Sequence, residues 1–262
     1  MNISLFKVSL LSTSLVLAAC VTSSPTGRNQ VLLFDGSEMS QLGVQSFEEM
    51  KRTQTINQDP KINAYVQCVS TSITSTLGKQ SDFEDWEVIV FDSEQVNAFA
   101  LPGGKIGVYT GLLKVAKNED QLATVIGHEI AHVQANHSNE RLSTSKLADY
   151  GTQLGQVALQ STEYQEIGMT ALGLGVQYGV IMPYGRAQES ESDILGLHLM
   201  HNAGFDAKQS IELWKNMAIA AGGNEPLEFL STHPSNENRI NNLQNEFTKL
   251  TKNNKAKPSC VI

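Results

Sequence analysis

The chain has 262 residues, a formal net charge of −8 and a hydrophobic fraction of 40%. That is enough apolar material for one substantial core, within reach of a single domain. An acidic chain without basic runs excludes an electrostatic nucleic-acid binder.

The first residues read as an export signal. Lys7 supplies a thin positive region, Val8 to Leu17 an apolar run, and Leu17-Ala18-Ala19-Cys20 a small-residue cleavage site. The apolar run is too short for a membrane span. The four residues ending in Cys20 resemble a bacterial lipobox, in which the cysteine is diacylated and becomes the mature N-terminus; an ordinary signal peptide cut near Ala19 is the alternative. Val21 stands where an Asp would signal inner-membrane retention, so the resemblance implies outer-membrane anchoring. The expected organisation is signal peptide 1–19, lipidated tether 20–34, main domain 35–250 and tail 251–262. Beyond Cys20 the chain contains Cys68 and Cys260. An oxidising compartment favours a disulfide between them over two free thiols.

Helical spacing runs from Ser37 to about Thr55. Asp59-Pro60 opens a second helix with an N-cap and a proline at its first position. Its stripe is Ile62, Tyr65, Val66, Val69, Ile73 and Leu77, with Gly78 as the stop. Trp86 to Phe91, Asn97 to Leu101 and Lys105 to Tyr109 read as strands, the last two joined by Pro102-Gly103-Gly104. Asn118 and Gln121 form a capping box for the next helix. Residues 138–165 are polar, and helix with a mobile stretch is expected there. The apolar, glycine-rich stretch 168–181 is expected to be a core helix, with a membrane-leaning or lid segment as its alternative. Helices follow over about 187–202, about 207–221 and after Ser235. Helices, then a small sheet, then helices argue for an α+β fold.

Within the Asn118 helix lies His128-Glu129-Ile130-Ala131-His132. Two imidazoles four positions apart stand one above the other on a helix face, where both can grip one zinc ion. The glutamate between them can act as general base on a water. A catalytic zinc takes three protein ligands. His137, five positions past His132, is turned roughly 140° away. Glu189 and Asp193 share one face of a later helix, whereas Glu191 lies opposite. Glu189 is the better third ligand. Asp193 can then accept the free ring N–H of a ligand histidine. His198 and His201 read as structural or surface residues.

The strings Val125–Val133, Glu189…Asp193, Ser231-Thr232-His233-Pro234…Arg239-Ile240 and Asn97–Gly104 together resemble the HtpX-like and CAAX-prenyl-protease-like zinc endopeptidases, most nearly their soluble periplasmic branch. The resemblance covers residues 35–250. It implies a mostly helical zincin-type domain with a small sheet beside the motif helix. It also implies one zinc per chain on His128, His132 and Glu189, with Glu129 as catalytic base and Asp193 as an acid. Asp193 lies one turn from a ligand on the same face, so orienting a histidine suits it better than proton donation. His233 is implied as a fourth zinc ligand that keeps the enzyme latent. His233 and Arg239 are also candidates to stabilise an oxyanion. The absence of long apolar spans sets this chain apart from the membrane-embedded members and argues against prenylated substrates.

An extended substrate is expected to pair with the edge near Asn97, Ala98, Phe99 and Ala100, since main-chain pairing tolerates many sequences. The partners expected are unfolded envelope proteins, the outer membrane through its lipid, and the outer-membrane assembly machinery; nucleic acid is excluded. The rival function is an assembly factor or chaperone whose zinc site is latent or structural.

Overall fold

The computed structural model describes residues 21–78, 85–160, 162, 165–176, 182–222, 228–233 and 238–262. Residues 1–20, with the expected export signal and Cys20, lie outside that set. The architecture is mostly helical α+β, with small sheets. The chain divides into two compact units.

One unit comprises residues 1–35 and 136–183. In it β1 (Val21–Ser23) pairs antiparallel with β2 (Asn29–Val31). Arg28 grips Glu140 through both guanidinium nitrogens at 2.5 and 2.7 Å, and the Leu33 N–H donates to Ser143 Oγ. These contacts fix β2 to α4 (His137–Leu159), which is followed by α5 (Gln165–Val176). Asn136 starts α4 with a left-handed φ of 55°, which breaks it from the preceding helix. The expectation of a core helix over 168–181 is corrected for its described part. Within it Leu174 is 53% exposed, and Ile167 just before it is 72% exposed. Among the described residues this helix packs chiefly against α4, which leaves its other apolar face without a covering layer. Residues 177–181 lie outside the described set.

The other unit comprises residues 36–135 and 184–262. It begins with α1 (Gly36–Thr53) and α2 (Pro60–Thr74). Asp59 caps α2 as expected, accepting from the N–H groups of Lys61 and Ile62. The helix stops at Ser75, short of Gly78, whose φ of +63° turns the chain three residues later. A three-stranded sheet follows, built from β3 (Glu87–Phe91), β4 (Ala98–Leu101) and β5 (Lys105–Tyr109). Its order is β3-β5-β4, with β5 parallel to β3 and antiparallel to β4. The β4–β5 hairpin turns through Gly103 and Gly104, both at positive φ, where glycine carries no side-chain penalty.

The sheet separates two apolar clusters. On one face Phe47, Phe91, Phe99 and Tyr109 form an aromatic group, the Phe91 and Phe99 rings stacked at 6.1 Å. On the other, Ala98, Ala100, Ile106 and Val108 join the main core with α3 (Glu119–Gln134), which carries the two-histidine motif. The Asn118 side chain caps α3 by accepting from the Gln121 N–H, while Gln121 Oε1 accepts from Lys117 N, one residue earlier than a capping box requires. Then come α6 (Met182–Asn202), α7 (Gln209–Ala221), α8 (Glu228–Thr232) and α9 (Asn238–Phe247).

The C-terminal tail is strapped across this unit. Cys260 is bonded to Cys68 of α2 with Cα atoms 5.7 Å apart, the expected pairing. Lys257 pairs with Glu119 and Asp120 at the start of α3.

Candidate metal centre

Helix α3 is buried along nearly its whole length, and it carries His128, Glu129 and His132 into the interior. Helix α6 crosses it at two glycines. A Cβ on Gly127 would lie 2.9 Å from the Gly196 carbonyl oxygen, and one on Gly196 would lie 2.7 Å from the His128 nitrogen. Only glycine permits backbones this close. The close crossing brings the acidic face of α6 up to the imidazoles of α3.

Four buried side chains converge there: His128, His132, Glu189 and His233. The Nε2 atoms of His128 and His132 are 3.1 Å apart. Glu189 Oε2 lies 3.3 Å from His128 Nε2, and Oε1 lies 3.4 Å from His132 Nε2. His233 Nδ1 is 3.1 Å from both Glu189 oxygens and 3.3 Å from His128 Nε2. A tetrahedral metal with bonds of about 2.0–2.1 Å sets its ligand atoms roughly 3.3–3.4 Å apart. The donors already stand at that spacing, so the residues fit a single metal ion.

The ligands are held from behind. His128 Nδ1 lies 3.1 Å from Asp193 Oδ1, which fixes the ring with Nε2 toward the cluster. Arg239 donates to Asp193 through Nε (2.5 Å) and Nη2 (2.8 Å), and to Glu189 Oε2 at 3.2 Å. Its guanidinium lies 3.7 Å from the Trp214 ring centroid, and it is buried. Arg239 therefore faces the carboxylates and acts through them. Phe229 stacks on His233 with centroids 4.6 Å apart.

The protons follow this arrangement. Burial opposes charge on His128, but the Asp193 and Glu189 carboxylates prevail and raise its pKa to about 9. Burial also opposes ionisation of Asp193, and Arg239 together with His128 holds it below its usual value. Glu189 is held low against the same penalty by His128 and His233. Both carboxylates are thus anionic, a donor set made for a cation. Glu129 is buried, and its Oε1 accepts no hydrogen bond among the described residues while lying 3.4 Å from His233 Nε2.

Of the residues singled out in the sequence, His128, Glu129, His132, Glu189, Asp193, His233 and Arg239 meet in this one site. His137 is buried at the start of α4, in the other unit. His198 pairs with Glu246, and His201 lies 2.9 Å from the Thr251 carbonyl. The Asn97–Ala100 segment forms an edge of the sheet. Tyr109 N donates to Asn97 O, so the ladder alternation turns the peptide groups of Ala98 and Ala100 outward. Asn97 Oδ1 accepts from the Ala98 N–H. The Phe99 side chain is taken up by the aromatic cluster, so only its backbone borders the edge. Gly196, Trp214 and Phe229 were not anticipated. Trp214 is one of two tryptophans, a weak signal; Gly196 inside a helical pattern was a better one.

Residues 60–247 match Peptidase family M48. The chain belongs to that family. It is 36% identical over 181 residues to the mitochondrial metalloendopeptidase OMA1 of Schizosaccharomyces pombe, covering 69% of this chain and 51% of that protein. It is 33% identical over 237 residues to the mitochondrial metalloendopeptidase OMA1 of Bos taurus, covering 84% of this chain and 45% of the other. Against the beta-barrel assembly-enhancing protease of Escherichia coli it is 26% identical over 221 residues, covering 82% and 45%. This M48 chain spans about half the length of the curated relatives it matches.

Proposed function

We propose that this M48 chain is a zinc-dependent endopeptidase that cleaves unfolded or misassembled proteins in the bacterial periplasm, anchored to the outer membrane by lipid on Cys20. The observation that carries the chemistry is the buried His128–His132–Glu189 triad at metal-ligand spacing, with Glu129 beside it. Two imidazoles and a carboxylate suit zinc. Zinc bound there supplies a Lewis acid that activates water near neutral pH and polarises a carbonyl. Glu129 takes the water's proton and passes it to the departing amine. Asp193 and Arg239 keep the His128 ring and Glu189 in place through this exchange. The outward Ala98 carbonyl and the outward Ala100 peptide groups pair with an extended substrate, the Ala98 N–H being taken by Asn97 Oδ1, which supports breadth over sequence specificity.

Sequence, covalent structure and kinship support the location. Leu17-Ala18-Ala19-Cys20 resembles a lipobox, and the Cys68–Cys260 disulfide suits an oxidising compartment. No helix among the described residues is long and apolar enough to cross a membrane. One relative is named for β-barrel assembly, which supports envelope proteins as substrates.

His233 favours a second reading. Its Nδ1 stands where a fourth ligand belongs, and four protein ligands close a zinc site. An assembly factor with a latent site is built this way. Purified protein incubated with an unfolded outer-membrane protein, with chelator and then with zinc restored, separates the two. Chelator-sensitive cleavage recovered by zinc supports the peptidase; suppression of aggregation without cleavage, indifferent to chelator, supports the assembly factor.

A further inference from the structure

The helical pair α4–α5 presents an apolar stripe that nothing among the described residues covers. Leu147, Tyr150, Leu154 and Val157 recur at intervals of three and four along α4, and Ile167 and Leu174 lie seven apart on α5. Leu154 and Val157 are each 71% exposed. The two helices meet through small residues: a Cβ on Gly155 would lie 2.5 Å from Leu172, and one on Gly168 would lie 2.7 Å from Leu159. Leu159 and Leu172 fill that contact, while Leu154, Val157, Ile167 and Leu174 are left on the outside. Charge is scarce as well. From Tyr150 to Val176 the only charged residues are Glu163 and Glu166, whereas a water-facing surface carries roughly 25–35% charged residues.

The same unit receives the chain directly from residue 20. Strand β1 starts at Val21 and pairs Val21 with Val31. Leu33, two residues further on, bonds Ser143 of α4. One Cα step, one strand spacing and two extended residues add to about 16 Å. Any lipid attached through Cys20 is therefore tethered within that distance of Leu33, and the stripe begins about 6 Å along the helix from Ser143.

We infer that the α4–α5 stripe lies in the interface of the membrane that holds the Cys20 lipid, as a second, non-covalent attachment of this unit. The inference rests on the lipoprotein reading above for the identity of the surface. An amphipathic helix of this kind sinks its apolar face about 5–10 Å into the headgroup boundary. A nearby acyl anchor raises the effective concentration of lipid at the stripe, so a weakly apolar face suffices.

The test uses the mature protein in vesicles of phosphatidylethanolamine and phosphatidylglycerol with brominated acyl chains. Leu154→Trp and Ile167→Trp place reporters on the stripe, and Ser145→Trp places one on the opposite face of α4. After subtraction of Trp86 and Trp214, the stripe reporters should be quenched at least about twofold more than the control, as expected for interfacial burial. Equal quenching of all three, or none, overturns the inference. So does a blue-shifted Leu154→Trp spectrum without vesicles in a protein that self-associates, because a second copy then covers the stripe. Mass analysis of the same protein for a diacylglyceryl group keeps the two readings apart. Acylated but unquenched protein sinks the docking alone; unacylated but quenched protein sinks the anchor alone.

Discussion

Gly127 and Gly196 face one another where α3 crosses α6, so close that a Cβ on Gly196 would sit 2.7 Å from the backbone nitrogen of His128. This crossing sets the distance between the histidine helix and the Glu189–Asp193 helix. Gly196→Ala should push them apart at a cost of about 1–3 kcal/mol, typical of overpacking. Metal should be lost to a chelator at lower concentration than from the wild type. Gly173→Ala, where a Cβ meets nothing within 4 Å, should leave metal retention alone. Equal retention in both variants would remove the crossing from the account of the site.

Glu129 is next to the ligands without being one. Glu129→Gln should keep stoichiometric zinc while turnover falls below detection, because a base is lost and no donor to the metal is. His128→Ala should lose the metal itself, together with the Asp193 contact. Metal analysis showing full zinc in His128→Ala protein would contradict the ligand assignment.

The motif helix, its cap, the β4–β5 hairpin and the carboxylate helix were all legible in the chain, because each is written in local spacing. Glu189 could be placed opposite the histidines because i and i+4 share a face. Long-range contacts left fainter marks. Nothing local says that Gly196 must meet Gly127, or that Arg239 turns inward onto Asp193 and stacks on Trp214. Residues 168–176 misled for the opposite reason. Apolar composition suggests burial, but exposure is decided by how many elements pack against the helix, and among the described residues α5 packs chiefly against α4.

Arg239 neutralises two buried carboxylates, and removing it should be costly. Arg239→Ala leaves Asp193 and Glu189 without their cation, and breaking a buried pair costs about 3–5 kcal/mol. Arg239→Lys restores the charge but not the fork that bridges both carboxylates or the stack on Trp214. The lysine variant should therefore recover most of the melting temperature while binding zinc more weakly than wild type. Zinc affinity equal to wild type in Arg239→Lys would limit the residue to a structural part.

The Cys68–Cys260 bond closes a sequence separation of 192 residues. A loop of this length is worth about 5 kcal/mol in the chain-entropy account, and less where strain intervenes. Denatured, non-reduced mature protein should show no free thiol from this pair, and reduction should lower the melting temperature. The tail holds Lys257 against Glu119 and Asp120 at the start of the motif helix, so reduction should loosen that end first. Hydrogen exchange at α3 would read this. A thiol count near two before reduction would refute the pairing.

His233 lies inside the cluster of buried donors, in position to close it. Its Nδ1 stands 3.1 Å from both oxygens of Glu189 and 3.3 Å from His128 Nε2, within the ligand set. The segment bearing it is pinned at one end: Phe229 stacks on the ring, and Phe229 N donates to Val96 O beside the sheet edge. As a fourth ligand, His233 would hold the enzyme latent, since a catalytic zinc needs that position for water. His233→Ala should then raise basal cleavage of an unfolded protein while the other three ligands keep the metal. The competing role, donating to an oxyanion, has the opposite sign, a loss of about 10²–10³ in turnover. Its geometry favours latency, because Nδ1 is turned into the donor cluster, with Nε2 3.4 Å from Glu129 Oε1. Turnover of His233→Ala below that of the wild type, with zinc content unchanged, would overturn this assignment.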